Sequence, residues 1–206
     1  MMPIFQPKVE STLAVWQLFQ NEKEIWAATT RGIYVLDSKT EKVIRRISSE
    51  NSDLPYDDIL HIAKDEEGIY WLGTKGGGLI RWNTEENVFR QFTQETGLSN
   101  NTIYAVYPDE FGKLWLTSNY GLMSFNRENF ETILYSVQNG IPHEEFNTFS
   151  HYQTEDGTLY FGGLNGVMKF HPKDMQNQNP RKVNTCLLYT SPSPRDRTRS
   201  RMPSSA

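Results

Sequence analysis

Residues 109–122 read DEFGKLWLTSNYGL, and nearly the same pattern occurs four times along the chain. The pattern is a polar turn that ends in glycine, a short apolar strand centred on an aromatic residue, and a second glycine before further apolar residues. The central aromatic residues are Trp26, Trp71, Trp115 and Tyr160, which are 45, 44 and 45 positions apart. A motif that recurs at a constant interval of this size predicts a repeat protein.

Each repeat consists of short apolar stretches separated by turn residues, which is typical of β-strands. In the third repeat we predict strands at 102–107, 114–118, 121–126 and 130–136. Apolar residues alternate in these segments and do not recur at helical spacing. Four strands in roughly 40–45 residues is the period of a β-propeller blade. The sequence therefore predicts an all-β fold, a partial β-propeller of about four four-stranded antiparallel blades in an open arc.

The repeats also set the expected domain boundaries. Residues 1–9 are interpreted as the end of a preceding blade or a leader, and 10–173 as the partial propeller. Its four repeats are placed at 10–53, 54–97, 98–142 and 143–173. The fourth repeat shows no convincing outer strand, which is expected where a strand from elsewhere in the chain closes a ring. The polar, proline-containing residues 174–185 predict a linker to a missing domain.

The C-terminal residues 186–206, CLLYTSPSPRDRTRSRMPSSA, differ in composition from the rest and follow no structural period. One interpretation is a disordered basic tail. The stretch also looks like the translation of a transposase-type sequencing adapter, with SRMPSSA resembling its far end. We therefore expect 186–206 to be non-native and to lie outside the fold. The tail carries a net charge of +3, so the whole-chain value of −4 becomes −7 without it.

Composition excludes several classes of protein. The negative charge gives no electrostatic footprint for nucleic acid. The sequence contains no apolar run near the roughly 20 residues needed to cross a membrane. The single cysteine rules out a disulfide framework and a cysteine metal site. The N-terminus MMPIFQPKVE lacks the basic and apolar regions of a signal peptide.

The stretch GLSNNTIYAVYPDEFGKLWLTSNYGL, residues 97–122, resembles the two-component regulator propeller repeat. The third repeat matches that pattern at Gly97, Leu98, Asn101, Ile103, Gly112, Leu114, Trp115 and Gly121. The second matches it at Leu54, Pro55, Ile59, Gly68, Trp71, Leu72, Gly73, Thr74 and Gly78. In the first repeat Ala28 replaces the glycine after the strand. The fourth, with LYFGGLNGVMKFHP at 159–172, resembles the last blade before a linker and an Ig-like three-tyrosine domain.

The resemblance implies the periplasmic sensor propeller of an inner-membrane hybrid histidine kinase receptor that responds to glycan breakdown products. The segment itself is then not an enzyme, although the full-length protein would carry a histidine kinase or, in a related architecture, a diguanylate cyclase. The implied partners are an oligosaccharide or other small ligand, the remaining blades and the three-tyrosine domain of the same receptor, and a second receptor copy in a homodimer. No cofactor, no nucleic acid and no membrane contact within the segment are implied. Two alternatives are a secreted propeller enzyme, such as a polysaccharide lyase or glycosidase, and a non-catalytic protein-interaction propeller.

Most aromatic and titratable residues are interpreted structurally. Because Trp26, Trp71, Trp115 and Tyr160 recur at one repeat position, we predict that they form the core between blades. The acidic turns at 65–66, 109–110 and 155–156 lack the spacing of a calcium loop and fit turn chemistry. The four histidines are scattered and form no metal-ligand pair, so no metal site and no catalytic residue is assigned.

The candidate ligand-binding residues lie in loops on one rim. Antiparallel order places the connections from strand d to the next strand a, and from b to c, on the same rim, and loops on a rigid scaffold often carry function. The candidates are Tyr56, Asn101 and His143, with neighbours Asp57, Asn100 and Glu144, from d-to-a connections, and Arg31, Lys75, Asn119, Tyr120 and Asn165 from b-to-c turns. Their planar polar groups and aromatic faces suit a sugar. A second possibility is the central channel, where Trp16, His61, Ala105 and Ser150 share one repeat position.

Overall fold

The computed structural model describes residues 13–176 and the backbone of residues 186–188. Blade 1 contains β1 (Val15–Asn21), β2 (Glu24–Thr29), β3 (Gly32–Asp37) and β4 (Val43–Ile47). Blade 2 contains β5 (Ile59–Lys64), β6 (Tyr70–Thr74), β7 (Leu79–Asn83) and β8 (Val88–Phe92). Blade 3 contains β9 (Ala105–Pro108), β10 (Lys113–Thr117), β11 (Leu122–Asn126) and β12 (Thr132–Tyr135). Blade 4 contains β13 (Phe146–Gln153), β14 (Leu159–Gly163), β15 (Gly166–Phe170) and a short β16 (Cys186–Leu188).

Each blade is an antiparallel sheet whose strands follow chain order, so the predicted propeller of four blades is confirmed. Strand a of the third repeat is shorter than predicted, since β9 begins at Ala105 and not at residue 102. The reason is that Ile103 donates its backbone N–H to Thr74 of blade 2, at 2.9 Å, before the chain enters its own blade. No helix among the described residues is long and apolar enough to cross a membrane.

The outer edge of blade 4 differs from the sequence prediction. The fourth repeat supplies three strands, as predicted, but residues 186–188 pair with β15, with Met168 opposite Leu187. This pairing corrects the prediction that residues 186–188 lie outside the fold. The backbone groups along an uncovered strand edge attract any extended segment within reach, which accounts for the pairing. The leader at 1–9, residues 177–185 of the predicted linker and most of the tail lie outside the described residues.

The start of the predicted linker at 174–185 is also corrected. Residues Pro172–Met175 form a turn of 3-10 helix that His171 caps by accepting the backbone N–H of Lys173. Met175 is buried in the same cluster as Trp115 and Phe170. Residues 174 and 175 therefore belong to the fold and not to the predicted linker, because Met175 packs in the core between blades 3 and 4.

The a-to-b turns hold the central tryptophans through a buried carboxylate. In blade 2, one oxygen of Asp65 accepts the backbone N–H groups of Glu67 and Ile69, and the other accepts the indole N–H of Trp71 at 2.7 Å. Asp109 does the same for its own turn and for Trp115, at 2.9 Å. The acidic turns thus have the predicted turn chemistry and, in addition, satisfy a buried donor that would otherwise be costly.

The rings of the same tryptophans form the core between successive blades. Trp26 stacks on Tyr70 of blade 2, with ring centroids 4.6 Å apart. Trp71 meets Phe125 of blade 3 at 5.8 Å, and Trp115 meets Phe170 at 4.7 Å. The three tryptophans therefore pack between successive blades, as predicted.

Tyr160 departs from that role. It is half-buried and belongs to none of the buried clusters, because no blade formed by the described residues covers this face of blade 4. The ammonium group of Lys169 lies 5.5 Å from its ring centroid. Tyr160 is therefore placed for interblade packing but lacks its partner among the described residues.

An ion-pair network also joins blades 2 and 3. Arg127, from the c-to-d turn of blade 3, lies 3.3 Å from the buried Asp65 carboxylate of blade 2 and also contacts Glu66. Its hydrogen bond holds the pKa of Glu66 below the usual range. Arg127 also donates to the backbone carbonyl of Asp109, so one side chain ties together two a-to-b turns.

The pairing of aspartate with tryptophan predicts a specific stability effect. Replacing Asp109→Asn keeps the size of the side chain but replaces one carboxylate oxygen with an amide N–H₂ group. That group cannot accept a hydrogen bond from the indole N–H or from the turn amides, and the remaining amide oxygen is a weaker acceptor than a carboxylate oxygen. We expect a loss of about 1–3 kcal/mol in the free energy of unfolding, measured by urea titration. The neighbouring exposed Glu110→Gln is the matched control and should change it by about 0.5 kcal/mol or less. Equal effects of the two substitutions would contradict this role of Asp109.

Candidate ligand-binding rim and axis

The predicted rim exists, and backbone hydrogen bonds hold it together from blade to blade. A glycine in each b-to-c turn donates its N–H to a carbonyl in the following d-to-a connection. The pairs are Gly32 to Asp57 at 2.7 Å, Gly78 to Asn101 at 2.6 Å and Gly121 to Glu144 at 2.7 Å. Glycine is required there: each has a φ between 78° and 88°, and a Cβ on Gly32 would lie 2.1 Å from the carbonyl oxygen of Ile47.

Three of the predicted ligand-binding residues support this framework. Tyr56 lies against Gly77 and donates its hydroxyl to the carbonyl of Lys75, at 3.0 Å. Asn101 accepts the backbone N–H of Gln94. His143 is buried and packed against Gly163 and the ring of Phe146. Burial lowers the pKa of His143.

Their neighbours in the d-to-a connections are used in the same way. Asp57 accepts the backbone N–H and the hydroxyl of Ser49. Asn100 accepts the backbone N–H of Thr102, and Glu144 accepts that of Val137. These side chains shape the loops.

The b-to-c candidates are more accessible. Lys75, Asn119, Tyr120 and Asn165 are exposed, while Arg31 is half-buried and its carbonyl accepts the guanidinium N–H of Arg46. Tyr120 has 57% of its surface exposed, although its backbone is fixed by Ser99 and Ser118. A rigid backbone that carries an exposed phenol and ammonium suits ligand contact.

One aromatic group at the axis joins blades that are distant in sequence. Trp16 of β1 stacks on Phe149 of β13, with ring centroids 5.6 Å apart. The indole donates its N–H to Asp58 at 2.7 Å, and the ammonium group of Lys75 lies 5.5 Å from its ring. Sequence reasoning placed Trp16 near the axis but missed Asp58 and Phe149, since no motif marks them.

The repeat position assigned to the channel needs a correction in blade 1. Tyr107 lies opposite Trp115 and Ala63 opposite Trp71, but Phe19 lies opposite Trp26. The first a-to-b turn is one residue shorter, so Gln17 and not Trp16 is equivalent to His61. Of the other predicted channel residues, Ala105 is buried in the core and Ser150 is exposed.

A second axial group contains two histidines that the sequence leaves far apart. The rings of His61 and His151 are 4.8 Å apart, and the hydroxyl of Tyr107 lies 2.8 Å from Nδ1 of His151. We call His61, Tyr107 and His151 the axial cluster. It links blades 2, 3 and 4. Sequence reasoning missed it because contact between repeats depends on how the blades are arranged around the axis.

The axial cluster is uncharged at neutral pH. Burial, reinforced by the nearby His151, lowers the pKa of His61 to about 3. Burial also lowers the pKa of His151 and raises that of Tyr107 to about 12. Since the backbone N–H of Val106 donates to Nδ1 of His61, the ring proton of the neutral imidazole is on Nε2.

Within residues 13–176, no three His, Cys, Asp or Glu side chains are placed to hold a metal ion. The carboxylates of Asp65 and Asp109 accept backbone and indole N–H groups of their own turns. The arrangement offers hydrogen-bonding groups, aromatic faces and one exposed ammonium on the rim. Such groups can form hydrogen bonds and stacking contacts with a ligand.

Comparisons with known proteins agree with this architecture. The sequence profile of the family "Two component regulator propeller" matches residues 53–76 and 97–120. The chain is 30% identical over 176 residues to histidine kinase P4 of Formosa agariphila, covering 82% of this chain and 13% of that protein. It therefore spans about an eighth of the length of that relative.

Two solved structures are similar in fold. The extracellular domain of a putative hybrid two-component system from B. thetaiotaomicron is 29% identical, with a TM-score of 0.67, over 78% of this chain and 22% of that one. A second such domain from the same organism has a TM-score of 0.65 at 19% identity, over 87% of this chain and 26% of that one.

The axial cluster predicts a pH-dependent stability. Between its unfolded pKa of about 6.5 and its folded pKa, His61 binds a proton only in the unfolded chain, so stability falls as pH decreases through this range. Lowering the pH from 7 to 5 should cost about 2 kcal/mol from this residue, measured by urea unfolding at both values. His61→Gln should remove that part of the pH dependence, whereas His171→Gln, outside the cluster, should retain it. An unchanged pH dependence in His61→Gln would show that the cluster is not responsible.

Proposed function

We propose that this chain, whose second and third blades carry two-component regulator propeller repeats, is part of the sensor propeller of a hybrid two-component receptor. The main support is its 29% identity, over most of its length, to the extracellular domain of such a system. The similarity to a histidine kinase covers 82% of the chain. In this role the segment is a non-catalytic periplasmic module of an inner-membrane receptor, and phosphotransfer belongs to other domains.

The partners of the module are the other parts of the same receptor. Tyr152 on blade 4 is 62% exposed, and Leu18 on blade 1 is 68% exposed. Side chains of this kind are buried between the successive blades of the described chain. We propose that further blades cover these two faces, and that a three-tyrosine domain follows the propeller in a receptor homodimer.

The proposed ligand is a glycan-derived oligosaccharide bound at the rim. Lys75 and Tyr120 support this because they are exposed and are not needed for the blade-to-blade hydrogen bonds. Hydroxyl groups of a sugar can accept from the ammonium and share hydrogen bonds with the phenol. Binding would transmit a signal only through a difference in affinity between two arrangements of the receptor.

The receptor proposal predicts what the gene encodes beyond codon 185. Amplification from the source DNA and sequencing should reveal an open frame that continues into an Ig-like domain, an apolar membrane helix and kinase modules. The physical reason is that the uncovered faces of blades 1 and 4 require further protein. A stop codon directly after the 186–206 sequence would instead favour a free-standing propeller.

The rim proposal predicts a separate binding effect. In the full receptor, Lys75→Ala and Tyr120→Ala should each weaken binding of the cognate oligosaccharide at least tenfold, measured on an array of purified oligosaccharides and then by calorimetry. The melting temperature should not change, because both side chains are exposed. Glu85→Ala, on the opposite rim, is the control and should leave affinity unchanged. Normal binding by both rim variants would exclude this surface as the ligand site.

A further inference from the structure

The c-to-d turns of blades 1 to 3 share one local structure. Asp37, Asn83 and Asn126 each accept the backbone N–H groups two and three residues later through a side-chain oxygen. The residue four positions on has a left-handed backbone in each turn: Glu41 with φ of 57°, Asn87 with 54° and Phe130 with 64°. These three residues are therefore structurally equivalent, although their side chains differ.

In two of the grooves between blades, the space is filled by an apolar side chain from the segment that follows strand c. Phe130 lies between blades 2 and 3, with its ring 5.0 Å from Phe92 and 6.0 Å from Phe125. The guanidinium of Arg90 covers it at 4.2 Å. Between blades 3 and 4, Met175 has the same role in a cluster with Trp115 and Phe170. Both grooves are closed by the chain itself.

The groove between blades 1 and 2 has equivalent walls, with Tyr70 where the next groove has Leu114, but lacks a side chain in the place of Phe130. Trp26, Ile47 and Trp82 occupy the positions of Trp71, Phe92 and Phe125, and the small polar Asn87 stands where Phe130 would be. A cleft of about 450 Å³ remains. This volume is within the range of small-molecule sites, roughly 300–1,000 Å³. We call it the interblade cleft.

The cleft is lined by groups that donate hydrogen bonds. Its polar lining includes Asn21, Arg45, Arg46, Asn51, Thr84 and Asn87, and no carboxylate is among the described lining residues. Arg45 is equivalent to Arg90 but forms a 2.9 Å ion pair with Glu24, and it is 49% exposed. Exposed ion pairs of this kind stabilise little, so Arg45 is able to turn to a bound anion.

The tryptophan indoles point to the chemistry of the ligand. Four of the five donate to a carboxylate: Trp16 to Asp58, Trp26 to Glu24, Trp71 to Asp65 and Trp115 to Asp109. Trp82 is 5% exposed and lines the cleft, yet its indole N–H has no partner among the described residues. A buried donor without an acceptor is unfavourable, and a carboxylate is the acceptor that the other four use.

We propose that the interblade cleft binds a small polyhydroxylated carboxylate of the hexuronate type. The carboxylate of this ligand accepts hydrogen bonds from the Arg45 guanidinium and the Trp82 indole N–H. Its hydroxyl groups form hydrogen bonds with the side-chain amides and the hydroxyl group along the cleft. The cleft is lined by none of the candidate ligand-binding residues of the rim. The inference goes beyond the proposed function because it depends on the cleft alone.

The test is a titration of the full 206-residue chain with D-glucuronate, followed by the indole N–H resonances in ¹H–¹⁵N NMR spectra. We expect the Trp82 resonance, assigned with Trp82→Phe, to shift saturably and more than the other four. D-Glucose, the uncharged control, should bind at least tenfold more weakly. No saturable shift of this resonance, or equal affinity for both sugars, would overturn the proposal.

Substitutions in the two equivalent turns provide matched controls. Asn87→Phe places in the cleft the side chain that closes the next groove, so it should abolish the glucuronate-dependent shift without lowering the melting temperature. Phe130→Asn opens the other groove and should lower the melting temperature but leave glucuronate affinity unchanged. Arg45→Gln, at an exposed position, should weaken glucuronate binding at least tenfold. This variant tests the site independently of whether Asn87→Phe folds. Unchanged affinity in Arg45→Gln, or in folded Asn87→Phe, would exclude the site.

Discussion

The buried indole of each central tryptophan has two requirements that the propeller blades meet together. Its ring needs apolar partners, which the next blade supplies, and its N–H needs an acceptor, which its own a-to-b turn supplies. In blades 2 and 3 an aspartate satisfies the indole and the turn amides at once, so turn shape and interblade packing are linked through one carboxylate. Because Arg127 of blade 3 also reaches Asp65, the same carboxylate helps set how one blade lies against the next.

Departures from this rule occur where the surroundings change. In blade 1 the turn is shorter, and Glu24 accepts the Trp26 indole in place of a turn aspartate. In blade 4 the aromatic residue is Tyr160, which has no indole N–H, and Thr154 replaces the aspartate and donates to the carbonyl of Thr158. The carboxylate and the indole are thus lost together, as expected if each is present mainly for the other.

The candidate ligand residues divide into those whose side chains hold the loops in place and those whose side chains do not. Tyr56, Asn101 and His143 are committed to loop structure, whereas Lys75 and Tyr120 are not. At the axis, three neutral polar side chains fill the space where blades 2, 3 and 4 meet. Between blades 1 and 2, a single asparagine leaves open a groove that is closed elsewhere. Function in a repeat protein is thus best sought where one copy departs from the others without a structural reason.

The sequence by itself determined the number of blades, the four-strand order, the interblade position of the tryptophans and the rim on which the b-to-c and d-to-a loops lie. These follow from local rules: strand alternation, turn residues and a constant interval repeated four times. Only the tertiary structure decided that His61 meets His151, that Tyr160 stays half-buried, and that Asn87 leaves a cleft where Phe130 leaves none. Such contacts join residues from different repeats, and their geometry depends on the angle and spacing between blades, which no single repeat encodes.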